Sequence, residues 1–169
     1  MNVGGHRLTN DELRSHFVTM GFAEVATFRA SGNVVFAAER EPPDAVEARI
    51  ETELAELLGY AVPTFIRSDA EMRAIAAHEP FATERVHASA GKLQVSLLGG
   101  CPTAALRSQV LALAGEEDVL AFGERELYWL PSGGMMESPL DLDLIDRLLG
   151  VSTRRTKGTI EQIADKHCG

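Results

Sequence analysis

Cysteine is scarce in this chain of 169 residues, which has two, Cys101 and Cys168. They form neither a metal-ligand spacing nor a small disulfide framework, so the simplest home is a reducing cytoplasm. Basic charge is also short. Asp and Glu number 25 against 16 Lys and Arg, a formal charge of −9, which works against binding polyanions through the overall field while leaving room for a local basic patch. No apolar run approaches the roughly 20 residues that cross a bilayer, and the N-terminus has neither a basic start nor an apolar h-region. A membrane span and a cleaved secretory signal are not expected. The remaining composition, 45% hydrophobic and 24% charged, is that of an ordinary globular protein. A chain this long makes one domain or two small modules and can bury about 70% of its unfolded surface.

Local signals organise the first half. Thr9 and Glu12 stand at capping-box spacing, with Leu8 placed to pack on Leu13, so a helix begins at about Asn10, turns Leu13, Phe17 and Met20 inward, and ends at Gly21. Residues 24–30 and 34–38 are rich in Val, Phe and Thr around the turn residues Ser31-Gly32-Asn33, which predicts a β-hairpin. After Pro42-Pro43, the stripe Val46, Ile50, Leu54, Leu57, Leu58 predicts an amphipathic helix ending at Gly59. A strand over 61–66 and a short helix opened by Ser68 and Glu71, stopping before Pro80, complete an αββαβα order.

The second half repeats much of it. Leu93, Val95 and Leu97 alternate with Lys92, Gln94 and Ser96, the mark of a half-buried strand. Pro102 opens a helix with Leu106, Val110 and Leu113 inward, closed by Gly115. Residues 119–122 and 126–130 are strands joined across Gly123-Glu124. Ser138, Pro139 and Asp141 are an N-cap, an N1 proline and a first-turn carboxylate for a helix over 142–149 that stops at Gly150. Thr159 and Gln162 offer a last capping box with Ile160, Ile163 and Ala164 as its apolar face. The order is βαββαα. The expected fold is therefore α+β, a tandem pair of ferredoxin-like (βαββαβ) subdomains with antiparallel sheets, over 1–85 and 86–169. The halves match only if a strand is missing from the front of the first, where Met1-Asn2-Val3-Gly4-Gly5 reads as a strand tail and the following loop. Losing that interior strand would strip partners from its neighbours, so a true start some ten residues upstream, or a lost segment, is expected.

The stretches Asn2-Val3-Gly4-Gly5, Ser31-Gly32-Asn33-Val34-Val35-Phe36, Pro80-Phe81, Glu126-Leu127-Tyr128 leading to Gly133 and Ser138, and Thr153-x-Arg155 with Thr159 together resemble the bacterial family called domain of unknown function 1697. The resemblance runs over nearly the whole chain. It implies an α+β protein of two ferredoxin-like subdomains and brings no established activity. Family members begin with an apolar strand ending Leu-Arg-Gly-Ile before Asn-Val-Gly-Gly, so Met1 stands where that isoleucine would be. The family pattern Arg-Asn-Trp-Asn-Thr reads here as Arg155-Thr156-Lys157-Gly158-Thr159, which removes its tryptophan and asparagines.

Two regions carry candidate binding chemistry. In a ferredoxin-like module the first βα loop and the hairpin turn share one end of the sheet, which places Asn2, Gly4, Gly5 and His6 near Ser31, Gly32 and Asn33. Backbone N–H groups, a helix N-terminus and two Asn side chains would form a polar pocket for an anion, or the same residues simply satisfy two turns. Arg154, Arg155, Lys157 and Thr159 are the densest positive charge, set just before a short helix. Arg155 would grip a carboxylate or phosphate bidentately while Thr159 and the first-turn N–H groups complete the cage, or it pairs with a carboxylate on the preceding domain and Thr159 merely caps.

Catalytic patterns are sparse. The five histidines, His6, His16, His78, His87 and His167, lack an HExxH or other ligand spacing, so no metal is expected. Asp141, Asp143 and Asp146 suit a helix N-terminus better than a metal. The G-x-G-x-x-G, GxxxxGK[ST] and GxSxG fingerprints are absent. Cys101 before Pro102 reads as a packing thiol. Tyr128 and Trp129 alternate, so one should face the core and the other the opposite surface, where it could stack on a base. The expected function is a cytoplasmic small-ligand or protein interaction module with an anion site and no cofactor. An enzyme acting on a small anionic substrate is the competing class, and single-stranded nucleic-acid binding a weaker one.

Overall fold

A computed structural model describes residues 2–3, 6–38, 41–115, 117–133 and 138–169, with residues 2, 3, 6 and 7 described by their backbone alone. The chain forms two compact units, Met1–Ser68 and Asp69–Gly169, and is mixed helix and antiparallel sheet throughout.

The first unit opens with β1 (Asn2–Val3) paired antiparallel to β2 (His6–Arg7). A two-residue ladder thus stands where the sequence suggested a strand tail and a loop. Helix α1 (Asn10–Thr19) begins at the expected capping box: the Thr9 hydroxyl accepts from the Glu12 N–H at 3.2 Å, and the Glu12 carboxylate accepts from the Thr9 N–H at 2.8 Å. Bonds from the Thr9 backbone and then its hydroxyl hold the Glu12 carboxyl below its ordinary range. The cap is therefore complete above the ordinary carboxylate pKa and is lost as pH falls through the lowered value. Gly21, just past the helix, has φ +89°, the left-handed turn that glycine admits without strain.

Strands β3 (Ala23–Phe28) and β4 (Asn33–Ala37) form the expected hairpin. Helix α2 (Pro43–Leu58) ends at left-handed Gly59. Leu13 and Phe17 of α1, Val25 of β3 and Val46, Ile50 and Leu54 of α2 bury one core, with the rings of Phe17, Phe22 and Phe36 in contact at centroid distances of 4.4–5.7 Å. Leu57, assigned to the inner stripe from sequence, is 54% exposed. The expected strand over 61–66 is not formed. Its backbone groups go to side chains instead: Glu51 accepts from the Thr64 N–H at 2.7 Å and Glu47 from the Ile66 N–H at 3.0 Å. Glu47 and Glu51 lie four apart on one face of α2, so the helix holds this segment where a strand would have used a ladder.

The second unit contains α3 (Asp69–Ala77), α4 (Thr83–Ala88), β5 (Gln94–Leu98), α5 (Ala104–Leu111), β6 (Val119–Phe122), β7 (Glu126–Leu130), α6 (Leu142–Leu149), β8 (Ser152–Thr156) and α7 (Lys157–His167). Its sheet runs β6-β7-β5-β8 with every pairing antiparallel. Leu127 and Trp129 pack with Val110 of α5 and Ile145 of α6 on one face. Val95 is opposite both Tyr128 and Arg155, so these three share the other face. There the His78 ring lies 4.9 Å from the Tyr128 ring and Arg125 bridges Glu71 at 2.5 Å, so the segment around α3 covers it. Strand β5 is consequently buried on both faces, Gln94 and Ser96 included, rather than half-buried as its alternation suggested. Gln94 stays satisfied by donating to Lys92 O, and Ser96 by accepting from Arg154 Nε.

Three further local readings change. Phe122 pairs with Leu127 and Gly123 N–H donates to Glu126 O, so Glu124-Arg125 is the turn and Gly123 ends the strand. A Cβ on Gly123 would lie 3.2 Å from the Tyr128 ring, which is why glycine suits it. The α5 cap is Thr103, one residue after the proline. Asp141 rather than Ser138 caps α6, accepting from Leu144 N–H at 2.8 Å, because Ser138 is engaged by Leu140 N–H and by Asp118.

Candidate functional site

The first candidate region lies at the α1 end of the first unit. Asn10 Nδ2 donates to Arg29 O at 3.0 Å, which fixes the helix start against the hairpin turn. Ser31 and Asn33 are brought together: Asn33 Nδ2 donates to Ser31 Oγ at 2.9 Å and to Phe28 O at 3.0 Å, while Gly32 takes φ +72°. These bonds brace the turn. Asn2 and His6 belong to the β1–β2 ladder, and Gly4 and Gly5 lie outside the described residues.

The basic cluster takes a form the sequence did not suggest. Arg154 and Arg155 stand just before a helix as expected, but on strand β8, which runs directly into α7. Their side chains therefore point to opposite faces. Arg154 donates to Ser96 Oγ, approaches Asp146 at 3.5 Å and lies 5.6 Å from the Trp129 ring centroid. Arg155 Nη1 donates to Thr153 Oγ1 at 2.7 Å and to Arg154 O at 2.8 Å, and burial lowers its pKa. Helix α7 is capped by Thr156, whose hydroxyl accepts from the Thr159 N–H at 3.3 Å; Thr159 lies in the first turn and is not the cap. Lys157 is buried, donating to Ala76 O at 2.6 Å and to Glu161 at 3.2 Å, so it ties the end of α3 to α7. Lys157→Met keeps most of the stem and loses those bonds. We expect a loss of about 1 kcal/mol in thermal unfolding, the net worth of an ordinary buried hydrogen bond.

A third region was not anticipated. An open cleft of about 460 Å³ is lined by Arg85, Ala88 and Ser89 at the end of α4, Glu117 before β6, and Leu130 to Gly133 after β7. Hydrogen bonds brace its walls. Ser89 Oγ donates to Pro131 O at 2.6 Å and accepts from Gly91 N–H. Asp118, 1% exposed, accepts from Trp129 Nε1 at 3.2 Å, Ser132 N–H at 3.0 Å and Ser138 Oγ at 2.9 Å. Glu117 on one wall and Ser132 on another are thus set by the same carboxylate. No sequence pattern announces the cleft, because its lining comes from three separate stretches.

Groups capable of catalysis are mostly committed elsewhere. Asp118 holds three donors, and His78 packs on Tyr128, whose hydroxyl pKa is raised by burial and then by Glu126. Both cysteines are free thiols; Cys101 is exposed, with Arg107 Nη2 at 3.2 Å. Among the described residues no group of three or more His, Cys, Asp or Glu is placed to hold a metal ion, and no helix is long and apolar enough to cross a membrane. Tyr128 and Trp129, expected one inside and one out, are 1% and 2% exposed. Helices cover both sheet faces, so neither ring is presented to a base.

A solved structure described as conserved bacterial protein SP0830 from Streptococcus pneumoniae is similar to this chain, with 21% identity and a TM-score of 0.72 over 98% of this chain and 92% of that one. At that identity the likeness speaks for the fold. No curated protein matches. The later stretches of the resemblance, Gly133, Ser138, Thr153, Arg155 and Thr159, lie beyond the family match, which covers residues 1–128. That match, described as protein of unknown function (DUF1697), spans most of the sequence, and the chain belongs to this family.

Proposed function

We propose that the protein is a binding module for a small anionic ligand, built on a tandem of ferredoxin-like subdomains and working in the cytoplasm. The βαββαβ order of the second unit, with its last strand beside its first, supports the architecture, and the hairpin, two helices and extended segment 61–66 of the first unit follow a similar plan. An exposed free thiol at Cys101 suits a reducing compartment. The observation that carries the binding reading is the open cleft beside Arg85, whose volume falls within the roughly 300–1,000 Å³ of small-molecule sites and whose walls are braced by part-buried hydrogen bonds.

Arg155 supports a second site for the same class of ligand, since a guanidinium moved out of water interacts more strongly with an anion. A thermal-shift screen with inorganic phosphate, sugar phosphates, nucleotides and small carboxylates separates the two. A ligand at 100 times its Kd adds about 2.7 kcal/mol, roughly 5–10 °C for a chain of this size. The expected result is a shift removed by Arg85→Gln and kept by Arg155→Gln. The opposite pattern moves the site to β8. A wild type that no anion shifts ends the small-anion reading.

A further inference from the structure

Resting on that reading, we infer that among small carboxylate-bearing ligands the cleft prefers one that also carries an ammonium, a zwitterion of the α-amino-acid class. Its lining carries both signs of charge, the guanidinium of Arg85 and the carboxylate of Glu117, both on exposed residues. A phosphate or dicarboxylate drawn to Arg85 meets Glu117 and a chain of formal charge −9. A plain amine drawn to Glu117 meets Arg85. A ligand that carries both a carboxylate and an ammonium offers a partner to each side chain and leaves neither charge opposed.

Arg85 also makes a contact within the protein. Its five N–H donors form a planar fork, so an internal contact and a ligand carboxylate are compatible. The lining also includes exposed Ala88 and the edges of buried Leu130 and Pro131, apolar surface that would receive an aliphatic side chain. The Asp118 bond to Ser132 N–H keeps the Glu117 wall and the Ser132 wall in register without ligand, which lowers the ordering cost of binding. The cleft is open to water and each exposed ion pair is weak, so affinity near ~1 mM is the expected scale.

Calorimetric titration of the full chain with L-leucine, N-acetyl-L-leucine and L-leucinamide tests the two poles separately. L-Leucine should bind, and removal of either charge in the derivatives should weaken binding at least about tenfold, or 1.4 kcal/mol. Glu117→Gln should weaken L-leucine by a similar factor while strengthening N-acetyl-L-leucine, whose carboxylate no longer meets a like charge, and Arg85→Gln should weaken both. Absence of L-leucine binding overturns the inference. So does N-acetyl-L-leucine binding as tightly as L-leucine, an outcome that leaves the anion reading standing because only the carboxylate is then recognised. If inorganic phosphate, N-acetyl-L-leucine and L-leucine all fail to bind the wild type, both readings fall together.

Discussion

Asp118→Ala should lower the stability of the second unit by about 3–5 kcal/mol, the cost of leaving two donors without an acceptor plus that of the void. The carboxylate is 1% exposed and holds three donors from 11 to 20 residues further along the chain: the Trp129 indole, the Ser132 backbone N–H and the Ser138 hydroxyl. Alanine leaves a void and deprives the indole and the backbone N–H of an acceptor, while the hydroxyl can turn. Asp118→Asn is the informative control. Its amide oxygen can accept from Trp129 and Ser132, and its NH₂ can donate to Ser138 Oγ, which keeps every partner and should cost only about 1 kcal/mol. Thermal unfolding should therefore show a fall of roughly 10 °C for alanine and a few degrees for asparagine. Equal losses in the two variants would mean that the carboxylate acts through its charge rather than through the number of bonds it accepts.

Asp118 also marks where sequence reading stopped. It sits in the run Gly115-Glu116-Glu117-Asp118, which looks like a solvated acidic loop. Its partners follow 11 to 20 residues later, at no spacing that pattern rules detect. Features decided by caps, turns and strands adjacent along the chain were legible: the Thr9/Glu12 capping box, the β3–β4 hairpin, the Gly59 terminus of α2 and the β6–β7 pair. Features decided across space were not. The segment 61–66 has strand composition, yet Glu47 and Glu51 take its N–H groups. Strand β8 was hidden by its charges, since Arg154 and Arg155 occupy both faces of Ser152–Thr156 and erase the alternation of a strand. The stretch around α3, read as the end of the first half, covers Val95 and Tyr128, which made a half-buried pattern into a strand enclosed on both sides.

The candidate site shows the same division. The alternative reading weighed for Ser31 and Asn33, a turn that ties down its own polar groups, corresponds to bonds now visible; the cap read for Thr159 does not, and no reading anticipated that Lys157 would be tied to Ala76 O. The cap itself is Thr156, because β8 runs directly into α7 and leaves no loop for Thr159 to close. The cleft beside Arg85 had no sequence signature at all, since a concave surface is a property of packing.

Gly91→Ala should be the most damaging single-methyl change near that cleft, costing about 3 kcal/mol, the upper part of the range for overpacking. A Cβ at Gly91 would fall 2.5 Å from Pro131 Cγ and 2.7 Å from Pro131 O, and against Gly133 O. Two of these atoms are backbone and Pro131 is fully buried, so no flexible side chain can move aside. The chain must instead separate residue 91 from the segment 131–133. That movement stretches the bond from Ser89 Oγ to Pro131 O and shifts the Ser132 wall of the cleft. Stability and binding should therefore fall together in Gly91→Ala, whereas Arg85→Gln, on an exposed helix end, should lose binding at nearly unchanged melting temperature. Glycine at position 91 thus serves the close approach of two backbones. Gly91→Ala retaining wild-type melting and ligand response would show that the strand end and the α4 exit are not held as tightly as their hydrogen bonds imply.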